Sequence, residues 1–157
     1  EPTEENTMRR SPRSCHGGLI GPGLMWHIVL VACLFLASVF GIYEYAITQG
    51  YSENLARTMA MNTLVVLEIF HLFFIRNMYS TSLNMKAIVG TRFVWFAVIA
   101  VILAQLAITY VPWIQAIFDT EAVTASDGLL IIAVGIMMFS IIEIEKQVRL
   151  KILKISF

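Results

Sequence analysis

Four apolar blocks, each long enough to cross a bilayer, take up most of this chain. About 20 apolar residues rising 1.5 Å each cross a hydrocarbon core as a helix. The blocks fall at 24–48, 55–76, 93–112 and 128–145. The chain is 58% hydrophobic and only 14% charged, whereas a soluble domain is nearer half apolar and about a quarter charged. The expected fold is an all-α membrane protein of four antiparallel transmembrane helices.

The segments between the blocks carry the punctuation. Residues 1–23 are polar, then rich in Pro and Gly, and read as a cytoplasmic segment. Their start, EPTEENTMRR, has three acids and no short apolar stretch before a small-residue cleavage site, so a signal peptide is not expected. A chain beginning at Glu1 is expected to be a processed product or an excised piece. Trp26 and the Tyr43/Tyr45 pair fall near the ends of the first block, where aromatic belts sit. Pro112 ends the third block because proline cannot continue helical hydrogen bonding. Residues 77–92 read as a cytoplasmic loop, 113–127 as an extracytoplasmic loop with a helix N-cap at Ser126 or Asp127, and 146–157 as a basic cytoplasmic tail.

Charge predicts the orientation. Arg9, Arg10, Arg13, Arg76, Lys86, Arg92, Lys146, Arg149, Lys151 and Lys154 fall on one side of this arrangement, and Arg57 on the other. The positive-inside rule makes the first side cytoplasmic, with both termini there. Net charge is zero, so no affinity for nucleic acid is implied. Cys15 and Cys33 are expected to be reduced.

The second block, LARTMAMNTLVVLEIFHLFFIR, holds the chemistry. Glu68 lies eight residues before Arg76, so roughly 12 Å of helix separates it from that end. An ionised carboxylate at such depth is costly unless something pairs with it. His71 follows at i+3 on the same helix face, and Asn62 lies almost two turns earlier, on that face or beside it. Three readings stay open. Glu68 is a ligand for a hard cation, whose six to eight oxygens would come mostly from elsewhere. It belongs to a carboxylate-bridged metal bundle, which needs a second Glu-x-x-His motif. Or it is protonated and hydrogen-bonded in a purely structural four-helix module. Gln105, the strongly polar residue inside the third block, is expected to bond across to another helix. No Ser-His-Asp set, nucleotide loop or metal-binding cysteine pair is visible, so this chain alone is not expected to be an enzyme.

Four stretches, in order, resemble P-type cation-transporting ATPases of the branch that includes calcium pumps. ENLARTMAMNTLVVLEIFHLFFIRN is similar to the eighth membrane helix of that family, and EPTEENTMRRSPR to the segment after the sixth. FVWFAVIAVILAQLAITYVPWIQAIF resembles the ninth helix and its exit. IIEIEKQVRLKI resembles the end of the tenth, with Ile142 where the family usually has Asp and Glu143 keeping the Glu. The resemblance implies that the chain is the last four membrane helices of such a pump, with Glu68 at the position of a cation ligand. Asn62, His71 and Gln105 would then support that ligand, while Glu143 reads as an interface carboxylate near Lys146 and Arg149. It also implies partners: the pump's other helices and cytoplasmic domains, the transported cation and the lipid of the plasma membrane. ATP and magnesium would serve the intact pump.

Overall fold

The computed structural model describes residues 22–75 and 92–151. Residues 1–21, 76–91 and 152–157 lie outside the described residues. They hold most of the N-terminal segment, the 77–92 loop, the end of the basic tail and many of the cations used for orientation.

The described chain is helical: α1 (Pro22–Thr48), α2 (Glu53–Ile75), α3 (Arg92–Tyr110), a short α4 (Pro112–Phe118) and α5 (Ala125–Lys151). Among the described residues no strand occurs. Four of the helices, all but α4, are long and apolar enough to cross a membrane.

Local chemistry sets their ends. Pro22 opens α1 at the first helical position, where its missing N–H costs nothing. The helix closes as a Schellman motif. The Tyr51 N–H donates to the Ala46 carbonyl at 3.1 Å and the Gly50 N–H to the Ile47 carbonyl at 3.0 Å. Gly50 takes the left-handed conformation (φ 80°) that this turn requires. Ser52 then caps α2, its hydroxyl accepting the Leu55 N–H at 3.0 Å. That cap starts α2 two residues before the span read from the sequence.

Three other boundaries differ from the sequence expectation. Pro112 ends α3 and opens α4, so the expected loop 113–127 begins as a helix. The cap of α5 is Thr124, not Ser126 or Asp127. Its hydroxyl accepts the Asp127 N–H at 3.3 Å and donates to the Asp127 carboxylate at 2.6 Å. The Asp127 charge, with some burial, pushes the nearby Tyr51 phenol above its ordinary value. At its other end α5 runs on to Lys151, so the first residues of the expected tail are helix.

Helices α1, α2 and α5 form the packed core. At one end Ile42 and Ala46 of α1 meet Ala56 and Met59 of α2 and Ile131 of α5. At the other end Val31, Phe74 and Ile142 meet. The pairing makes α1 antiparallel to both α2 and α5. Helix α3 lies beside α2, with Trp95 against Phe73 at 5.6 Å between ring centroids, and buries the smallest share of its length.

Gly135 lets α5 approach α2. A Cβ there would sit 2.7 Å from Val66 Cγ1 and 2.9 Å from the Phe70 ring. Packing between membrane helices rests on such close fit, since lipid tails are as apolar as the helices. Val66 is β-branched and stiff, so it does not yield easily. Gly135→Ala is therefore expected to destabilise the bundle by about 1–3 kcal/mol, as overpacking does. Titrating purified variant and wild type with denaturing detergent, read by circular dichroism, checks this.

Candidate cation site and a buried charged end

Helix α2 turns three different sides to three environments. Ala56, Met59, Thr63, Leu67 and Phe74 are buried toward α1 and α5. Asn62 faces α3. The remaining stripe carries Leu64, Leu72 and Ile75, each exposed by more than a third, and Glu68 lies exposed among them. Among the described residues Glu68 makes no hydrogen bond and no ion pair. Its carboxylate thus sits in the middle of an apolar stripe pointing away from the bundle.

The residues expected to support Glu68 are spread around the helix. Six residues separate Asn62 from Glu68, which turns them roughly 120° apart. Asn62 Oδ1 instead accepts the Gln105 amide at 2.5 Å and the Thr109 hydroxyl at 3.1 Å, both from α3. Gln105 therefore bonds across to another helix, and the Gln115 amide from α4 adds a bond to the Thr109 carbonyl at 2.6 Å. His71 leans toward α1. Its ring lies 5.6 Å from that of His27 and 5.8 Å from that of Phe74, both stacked, with Phe35 edge-on at 5.7 Å. Among the described residues no three His, Cys, Asp or Glu side chains converge as a metal shell. The other deep hydroxyls bond within their own helices: Ser38 to Leu34, Thr63 to Met59 and Ser140 to Ile136, each at 2.8 Å.

A second polar group lies at the end where α1 starts and α5 finishes. Lys146 is fully buried, over the Phe74 ring at 4.5 Å. It pairs with Glu143 at 2.8 Å. Gln147 donates to the same carboxylate at 3.0 Å. Arg149, 4% exposed, pairs with Glu145 at 3.1 Å and donates to the Gly23 carbonyl at 3.3 Å. The Trp26 indole N–H also reaches Glu145, at 3.0 Å. These bonds clip the end of α5 to the start of α1. Glu143 pairs with Lys146, whereas Arg149 turns to Glu145 and the Gly23 carbonyl, and Glu143 is buried rather than exposed at an interface. Lys146 and Arg149 are interior residues, where the sequence places a solvated tail. The i+3 and i+4 spacings from Glu143 and Glu145 on a helix are the signal for the pairing. No local signal marks the burial, which depends on Phe74 of α2 for Lys146 and on the start of α1 for Arg149.

Residues 1–148 match the family described as cation transporting ATPase, C-terminus. This chain belongs to that family. It is 32% identical over 135 residues to a probable cation-transporting ATPase F of Mycobacterium tuberculosis, covering 86% of this chain and 15% of that protein. A calcium-transporting ATPase of Bacillus subtilis is 33% identical over 135 residues, 84% of this chain and 15% of that relative. Calcium-transporting ATPase 1 of Yarrowia lipolytica is 25% identical over 146 residues, 93% of this chain and 16% of its own length. The chain therefore spans about 15% of the length of the first two relatives. Membership also fits the multi-pass membrane architecture of this ATPase C-terminal domain.

Lys146→Ala removes the cation 2.8 Å from the buried Glu143 carboxylate, a loss expected to cost about 3–5 kcal/mol. The double variant Glu143→Gln with Lys146→Met is expected to recover most of that loss, because it removes both charges together. Melting curves of the detergent-purified proteins compare the two.

Proposed function

We propose that this chain is the C-terminal membrane domain of an ATP-driven calcium pump, and that Glu68 supplies one ligand to its transported cation. The observation that carries the proposal is the exposed carboxylate on the apolar stripe of α2. Facing lipid, an ionised Glu68 would cost several kcal/mol. Facing further helices of the same pump, it becomes a wall of a shared site. Carboxylate oxygens suit calcium, which takes six to eight oxygens, so the remaining ligands belong to those other helices. The calcium-transporting relatives favour calcium as the ion.

The division of labour follows from the residues. Helices α1 and α5 hold α2 rigid from behind, so Glu68 is presented at a fixed position. The pump's cytoplasmic part binds ATP and magnesium and is phosphorylated, and the resulting rearrangement moves the partner helices against this face. When they part from it, the coordination shell breaks and Glu68 releases the ion. In this reading Asn62 and Gln105 hold α3 in place and do not touch the ion. Both termini lie in the cytoplasm, as the positive-inside rule requires, and the membrane is the plasma membrane.

The test uses the intact pump. Glu68→Gln keeps the shape of the side chain and removes the charge. Its calcium concentration for half-maximal ATPase activity is expected to rise at least about tenfold, corresponding to roughly 1.4 kcal/mol of lost binding. Gln105→Leu is expected to leave that concentration unchanged while lowering thermal stability by about 1 kcal/mol. An unchanged affinity and rate in a folded Glu68→Gln pump would make Glu68 a packing residue and this domain a scaffold.

A further inference from the structure

Helix α2 carries one more charged pair on the side of Glu68. Between Arg13 and Arg76 the chain has a single Lys or Arg, which is Arg57. In the orientation proposed above Arg57 lies at the extracytoplasmic end, where the positive-inside rule disfavours cations. Its guanidinium donates to the Glu53 carboxylate, one turn nearer that end. The two side chains are 61% and 62% exposed, so the pair contributes little to stability. Glu before Arg at i and i+4 is the favourable order, and Glu53 in the first turn also meets the positive end of the helix dipole. The acids that follow α4 turn elsewhere. Glu121 accepts the Ser52 hydroxyl at 2.7 Å and Asp127 the Thr124 hydroxyl at 2.6 Å.

The helical repeat puts this pair in line with Glu68. The eleven-residue step from Arg57 to Glu68 is close to three whole turns, so their side chains leave the helix roughly 20° apart, with roughly 16.5 Å of rise between them. Leu64 stands between them on the same exposed stripe. A cation leaving Glu68 for the extracytoplasmic side along this stripe passes Leu64, then Arg57, then Glu53.

We propose that Arg57 and Glu53 form the extracytoplasmic mouth of the cation path, with the guanidinium placed to oppose return of a released cation to Glu68. This rests on the reading of Glu68 as a ligand, with its stripe lining the path. The order of the charges matters. Glu53, at the outer rim, is met first by a cation coming from outside, and Arg57 stands between that rim and Glu68. In a cleft walled by apolar helices such a charge acts further than on an open surface, because low-dielectric walls focus its field. Glu53 aligns the guanidinium and offsets part of its charge, so the mouth still lets the ion out.

The experiment uses the intact pump in vesicles with its cytoplasmic side outward and graded calcium loaded inside. The initial ATPase rate is measured at saturating outside calcium. The inner calcium concentration that halves this rate reports return of the ion from the extracytoplasmic side. Arg57→Gln is expected to lower that concentration at least about threefold, and Glu53→Gln to raise it by a similar factor, since the guanidinium then repels without its partner. Both shifts should shrink as ionic strength rises from about 0.05 M to about 0.5 M, because the screening length falls. Arg57→Lys keeps the charge and should keep the wild-type value. The outside calcium concentration for half-maximal activity should stay the same in all three variants. An unchanged inner concentration in Arg57→Gln overturns the proposal. Shifts of the same sign in Arg57→Gln and Glu53→Gln also overturn it, because loss of a merely structural ion pair has no sign. So does loss of activity in Arg57→Gln, which makes the pair a structural one. Glu68→Gln, run alongside, tests the cation ligand through activation from the cytoplasmic side. The mouth is read through inhibition from the other side, so either reading can fail without the other.

Discussion

The close approach of α5 to α2 at Gly135 is the contact on which the arrangement depends. In a bilayer, apolar helices gain nothing by leaving lipid for one another unless they fit better than lipid does. A missing side chain at Gly135 lets Val66 and Phe70 pack directly on the α5 backbone. Once α5 is seated there and α1 is folded back by its Gly50 turn, one side of α2 is committed to the core. What remains is divided between α3 and open surface. The outward position of Glu68 follows from that division, since the helical repeat sets the angle between Glu68 and every other α2 residue.

The charged end of the bundle has a different role. A buried ion pair adds little net stability, because desolvation offsets most of its attraction. Glu145 and Arg149 instead tie the end of α5 to the start of α1. Apolar side chains tolerate sliding of one helix along another by a turn. An Arg149 that must find the Gly23 carbonyl and a Glu145 that must find the Trp26 indole do not. The rigid unit so made is α1, α2 and α5. The loosely held unit is α3 with α4, fixed by hydrogen bonds at one level and by the Tyr110 link at its end.

If Glu68 supplies a cation ligand as proposed, the rigid unit of α1 and α5 stands behind the side of α2 that carries it.

Much of this was written in the sequence. Block length and apolarity determine four helices, because a bilayer admits little else. Pro22, Gly50, Ser52 and Pro112 determine where helices begin and end, through backbone chemistry confined to a few residues. The depth of Glu68 and the pairing spacings around Glu143 and Glu145 are also local facts. Tertiary structure decided the rest. The helical period already turns Asn62 roughly 120° from Glu68 and keeps His71 near the Glu68 face. Only the positions of α3 and α1 show Asn62 turning to Gln105 and His71 to His27, leaving Glu68 outward without them. The same holds for Lys146 and Arg149, which any local reading gives to solvent after a span. Lys146 is covered by Phe74 of α2, and Arg149 reaches the start of α1, more than 100 residues away in the chain. Sequence specifies what each residue can bond, but which neighbour is near enough to bond it is a property of packing.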